Sequence, residues 1–188
     1  MKETKPAGWR KLRRKMDNWP KPALLSLVKD LYDFSPDNRD FLEARFQAED
    51  NAGPALERYR GKIIEQFFPK RGYGKIKLSE ASKSIRDYRK ATGNLAGTID
   101  LMLTFVENGT KFTSQYGDID GPFYDSLRAV LDEMSKLILY EGPGLYPLFR
   151  ERIRHLTDQA GNIGWGFGGA LRYYVGDLEN KLAGEPSR

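Results

Sequence analysis

Seven of the eight basic side chains within residues 70–90 form one candidate patch: Lys70, Arg71, Lys75 and Lys77 in a stretch broken by Gly72 and Gly74, then Lys83, Arg86 and Lys90 at the spacing of one helix face. A stripe of this kind can pair with the phosphates or carboxylates of an acidic partner, and each phosphate it neutralises adds a salt-dependent increment to affinity. Tyr73, between Arg71 and Gly74, has the type and setting to stack on a base. The competing reading is a solvated face. Glu80 and Asp87 interrupt the run, and an acidic stretch from Asp100 to Glu141 is available to balance it.

A second basic cluster, Arg10, Lys11, Arg13, Arg14 and Lys15, surrounds Trp9, Leu12 and Met16, which recur at i, i+3 and i+7. This describes a short basic amphipathic helix, suited to a nucleic-acid arm, a membrane-surface helix or a partner-docking helix. Three apolar residues make only a marginal membrane anchor. The expectation is therefore that this face docks onto the body of the protein and leaves the arginines in water.

Two further constellations invite catalytic readings. Asp118, Asp120 and the following Asp125 lie in and after an acidic turn that could attract calcium or magnesium, but Leu127 to Leu131 supply no carboxylate to complete a helix-loop-helix calcium site. The simpler expectation is that these aspartates cap the helix beginning near Pro122. His155, with Asp158 one turn ahead, forms a conceivable acid-base pair, yet no nucleophile accompanies it. Gly164, Gly166, Gly168 and Gly169 mimic a phosphate-binding loop without the strand before it or the Gly-Lys-Ser ending. They are expected to let two helices approach closely while Trp165 and Phe167 fill the space between them.

Composition narrows the chemistry. The 188 residues include no cysteine and one histidine, which removes disulfides, thiolate nucleophiles, thiolate-bound metals and any site needing two imidazoles. The formal charge of +5 is unevenly placed. Residues 1–21 hold eight basic and two acidic side chains, residues 58–90 eleven and three, and residues 100–141 three and eight. No apolar signal segment follows the charged start, no run approaches the ~18 apolar residues of a membrane span, and Met1-Lys2 lacks a myristoylation glycine. A cytoplasmic protein is the default expectation.

The elements that must position these groups read as helices throughout. Leu24, Leu27, Val28 and Leu31 form a stripe that Pro36 closes, and Asp37 is placed to cap a helix through Phe41, Leu42 and Phe46. Pro54 opens a helix carrying Leu56, Tyr59, Ile63 and Phe67, and Ser79 is expected to cap one whose inner face is Leu78, Ala81, Ile85 and Tyr88. Leu95 to Phe105 is apolar nearly all round and should be the central, most buried helix. Phe123, Leu127, Val130, Leu131, Met134 and Ile138 mark the next. Leu145, Leu148, Phe149, Ile153 and Leu156 mark another, and Phe167, Leu171, Tyr174, Leu178 and Leu182 the last. Period-two alternation and repeats are absent. The expected fold is all-α, a single compact multi-helical domain of about seven or eight helices, or an irregular α-α array. Residues 1–19 are read as the basic leader helix, 20–183 as the helical domain and 184–188 as a frayed tail.

Phe67-Phe68-Pro69, the start Lys77-Leu78-Ser79-Glu80-Ala81, the helix ending in Phe112 to Tyr116, Gly117-Asp118-Ile119-Asp120 with Phe123-Tyr124, and Gly164-Trp165-Gly166-Phe167 together resemble a bacterial family catalogued as domain of unknown function number 6155. The resemblance spans roughly Leu12 to Tyr174 and implies a helical fold. That family has no assigned activity, so the resemblance carries no functional residue onto this chain. From the residues themselves, the expected function is a non-catalytic binding module without a cofactor, engaging an acidic protein face or nucleic acid through its basic surface. The alternative is a small metal-assisted or acid-base enzyme built on Asp118, Asp120 and His155.

Overall fold

Proline and glycine punctuate the chain into helices, and each break is a true helix boundary. The computed structural model describes residues 8–47, 53–70, 76–161 and 163–184. Among the described residues it contains nine α-helices, one or two more than expected, and no strand. They are α1 (Trp9–Met16), α2 (Lys21–Phe34), α3 (Pro36–Gln47), α4 (Gly53–Phe67), α5 (Leu78–Thr92), α6 (Leu95–Tyr116), α7 (Gly121–Tyr140), α8 (Tyr146–Gln159) and α9 (Phe167–Leu182), with a 3₁₀ turn at Pro143–Leu145 before α8. The all-α fold class read from the sequence is the one observed. The chain divides into two units, Met1–Glu43 and Ala44–Arg188, with the boundary inside α3.

In the first unit, α1 buries none of its side chains. Pro22 sits in the first turn of α2, where its missing N–H costs no hydrogen bond. After Phe34 the backbone turns extended at Ser35, and the Ser35 hydroxyl accepts the Asn38 N–H at 3.1 Å. Ser35, not Asp37, therefore caps α3, because Pro36 takes the first helical position and places the cap one residue before itself. Asn38 Nδ2 donates to the Leu31 carbonyl at 2.8 Å, Tyr32 Oη donates to Glu43 at 2.8 Å, and the Arg39 guanidinium lies 5.1 Å from the Tyr32 ring centre. These polar ties join α2 to α3. The stripe expected on α2 forms, but Leu24, Val28 and Leu31 are exposed.

The second unit is organised around α6, which packs against α4, α5, α7 and α8, while α9 covers α7 and α8. The expectation for α6 holds: Ile99, Leu101, Met102, Leu103, Phe105 and Val106 are buried on successive sides of the helix. Asn94 begins it by accepting the Gly97 N–H at 2.9 Å. Phe67 of α4 meets Phe105 edge to face at 5.3 Å. The α7 stripe is buried as its spacing demands. On α8 the inner face is Tyr146, Phe149, Ile153 and Leu156, whereas Leu148 points outward, since α8 begins at Tyr146 and the aromatic ring takes the core position.

Candidate functional site

Helix α5 sets the orientation of the basic face. It starts at Leu78, with Lys77 in the cap position and no side-chain cap bond, so Ser79 lies inside the first turn and does not cap it. It stops at Gly93, whose φ of +65° is the left-handed terminus that glycine adopts without strain. Ala81, Ile85, Tyr88 and Ala91 are buried along its inner side. Tyr88 meets Tyr59 of α4 edge to face at 5.6 Å and lies where a side chain on Gly97 would have to go, so the glycine lets α6 begin close against α5. Burial of this face turns Arg86 and Lys90 to solvent.

The basic candidates divide between the two units. Arg10, Lys11, Arg13, Arg14 and Lys15 are exposed on α1, and Arg13 lies 3.8 Å from Asp17. Lys70, after α4, and Lys77 are exposed; Arg71, Tyr73 and Lys75 lie outside the described residues. Lys83 is held at 2.9 Å by Asp87 on the same helix. Arg86, Lys90, Lys77 and Lys70 make no ion pair among the described residues. Beside Arg86, a groove of about 230 Å³ opens between α5, α6 and α7. Ile85, Met102 and Val130 form its floor, with Ser82, Ser126 and Glu133 around it.

The acidic stretch is largely spent elsewhere. Asp100, whose side chain is 14% exposed, receives Arg60 of α4 and Arg152 of α8. Arg152 also grips Glu107 with two bonds of 3.0 and 2.8 Å, and this hydrogen-bonded carboxylate raises the guanidinium above its ordinary pKa. Arg60 reaches Glu57 as well. Arg89, on α5 but outside the predicted set, takes Glu141 through both carboxylate oxygens at 2.9 Å and approaches Glu133 at 3.8 Å. Asp125 pairs with Arg128 and Asp132 with Lys136. The partners of Asp100 lie 40 and 52 positions away. Spacing gives no signal for such a network, although three carboxylate-matching arginines in a helical sequence are its raw material.

The acidic turn is structural. Asp120 accepts the Phe123 N–H at 3.0 Å and caps α7 as expected. Asp118 Oδ1 accepts the Tyr124 hydroxyl at 2.9 Å, and its carboxylate fills the space where a Gly164 side chain would stand. Burial first, then the bond to Asp118, pushes the Tyr124 phenol above its ordinary pKa, while the neighbouring Thr113 hydroxyl at 2.6 Å opposes the shift. His155 is elsewhere, 2.9 Å from Gln159 Nε2, on a cavity of about 450 Å³ with Glu107, Thr110 and Lys111; neither aspartate lines it. Among the described residues, no three histidine, aspartate or glutamate side chains are grouped to hold a metal.

The glycine segment joins α8 to α9. A side chain on Gly168 would run into the Ala160 carbonyl, and Phe167 is fully buried, as the close-approach reading requires. Trp165 departs from it. It is 58% exposed, holds a φ of +55°, and stacks 6.4 Å from Tyr124 while its carbonyl accepts from Arg128. With Phe167 filling the interior, no space remains inside for the indole. Compared with family models, with curated proteins and with solved structures, the chain finds no match.

Proposed function

We propose that the protein is a non-catalytic binding module that engages an acidic macromolecule, a protein face or a nucleic acid, through the outer side of α5. The observation that carries this reading is the division of labour among cations. Arg60, Arg89 and Arg152 consume the carboxylates of α6 and the end of α7, while Arg86, Lys90, Lys77 and Lys70 stay exposed without an ion pair among the described residues. Internal neutralisation of the basic face, the bland alternative, therefore has few carboxylates left to act through. The groove beside Arg86 supports a protein partner, since an apolar side chain fits over Ile85, Met102 and Val130, with the Arg86 guanidinium to meet a carboxylate and Glu133 on the same groove.

Retention on immobilised heparin tests the charge component. Replacing Lys77, Arg86 and Lys90 together by Ala is expected to lower the eluting salt sharply. Lys136→Ala, which removes a lysine already paired with Asp132, is expected to leave it unchanged. Equal retention of the wild type and the triple variant would refute the site.

A further inference from the structure

The first unit carries a different surface. Trp9 and Leu12 of α1 are 68% and 45% exposed, Trp19 follows at 44%, and Leu25, Val28, Leu31 and Phe34 of α2 are exposed as well. Helical geometry groups Leu24, Val28 and Leu31 on one side of α2, flanked by Leu25 and Phe34, and puts Lys29, Asp30 and Asp33 on the other. Lys29 is paired with Asp33 across that polar side. Trp9, Leu12 and Met16 share one side of α1, surrounded by Arg10, Lys11, Arg13, Arg14 and Lys15, with Lys21 next in the chain. Apolar exposure on this scale marks a surface that something covers.

Three features select what covers it. Residues 8–21 hold six basic side chains and one acid, so the partner is anionic. Two of the exposed side chains are tryptophans, whose amphipathic rings settle at the boundary between headgroups and acyl chains. The apolar groups sit on two short helices separated by Pro20, rather than along one groove. A rigid protein partner must match a single fixed shape; a fluid surface takes up separate helices lying in its plane.

We infer that α1 and the apolar side of α2 form an interfacial anchor for an anionic lipid surface. Among the described residues no helix is long and apolar enough to cross a membrane, so the contact is with the surface. The three apolar residues of α1 make a weak anchor alone, and α2 supplies the further apolar area that stable adsorption needs. The basic side chains lay their stems along the interface and place their charges among the phosphates. The inference does not depend on α5.

Co-sedimentation of the full chain with vesicles tests it. Binding is expected to vesicles containing about one third phosphatidylglycerol in phosphatidylcholine, and to fall at least tenfold with phosphatidylcholine alone. Each neutralised cation near the surface lowers partitioning about fivefold, so R10Q/R13Q/R14Q should lower it on the order of a hundredfold. The exposed pair L25S/V28S should lower it about tenfold while keeping helix content and heparin retention. The α5 variant K77A/R86A/K90A should bind vesicles as the wild type does, which separates this inference from the proposed function. Failure to bind either vesicle, or binding that survives L25S/V28S, would overturn it. So would a concentration-dependent dimer in light scattering that L25S/V28S abolishes, because the occupant would then be a second copy of the chain.

Discussion

Gly168 and Gly169 are neighbours in sequence with opposite requirements. An added methyl at Gly168 meets the backbone carbonyl of Ala160, which cannot move aside as a flexible side chain would. At Gly169 it meets open space. Gly168→Ala should therefore cost about 2 kcal/mol or more, and Gly169→Ala should be neutral or stabilise by up to about 1 kcal/mol, as measured by urea unfolding. The glycine cluster was legible as a close approach of helices, but which glycine makes it was not, and the outward place of Trp165 carried no periodic signal. Tyr146 gives a second residue-scale prediction. Burial first, then a 2.6 Å bond to Glu179, pushes its phenol up to about 12. The folded state thus keeps a proton that the unfolded chain releases near pH 10. This contribution to stability is complete below pH 10 and is lost as pH rises towards 12. Melting temperature should fall across that range, and less steeply in Tyr146→Phe, with Tyr124 contributing in the same direction.

Helices and their buried stripes follow from apolar spacing, which is why α4 to α7 could be placed from the sequence with their inner faces nearly correct. Side-chain caps depend on one residue and on where the neighbouring proline sits, so Asp120 was legible while Asp37 was read as the cap of α3 in place of Ser35, and Ser79 was given a role it does not have. Replacing Asp120 or Asn94 by Ala should cost about 1 kcal/mol each. The junction of α4, α6 and α8 rests on Asp100 between Arg60 and Arg152, a contact that only the folded chain assembles. Asp100→Ala leaves two guanidinium groups facing each other without their shared carboxylate. A loss of about 3 kcal/mol in chemical denaturation is expected, against under 1 kcal/mol for Asp132→Ala on the surface of α7.

Over the whole molecule, the net charge of +5 conceals how the charges are distributed. The basic segment and the acidic middle of the second unit do meet, through Arg60 with Asp100 and Arg89 with Glu141, but these pairs use arginines from the inner and lateral sides of their helices. Helical spacing places Lys83, Arg86 and Lys90 on one face, but it does not show which arginines the carboxylates of other helices reach, and so does not decide between cancellation and a free basic face. Likewise it could identify the stripe on α2 without knowing that the stripe would remain exposed. The claim that the outer side of α5 is a free polyanion-binding surface is tested most directly by the salt dependence of affinity for a heparin oligosaccharide. The slope of log affinity against log salt should become shallower by roughly two to three in the K77A/R86A/K90A variant, about one for each contact removed. An unchanged slope would contradict it.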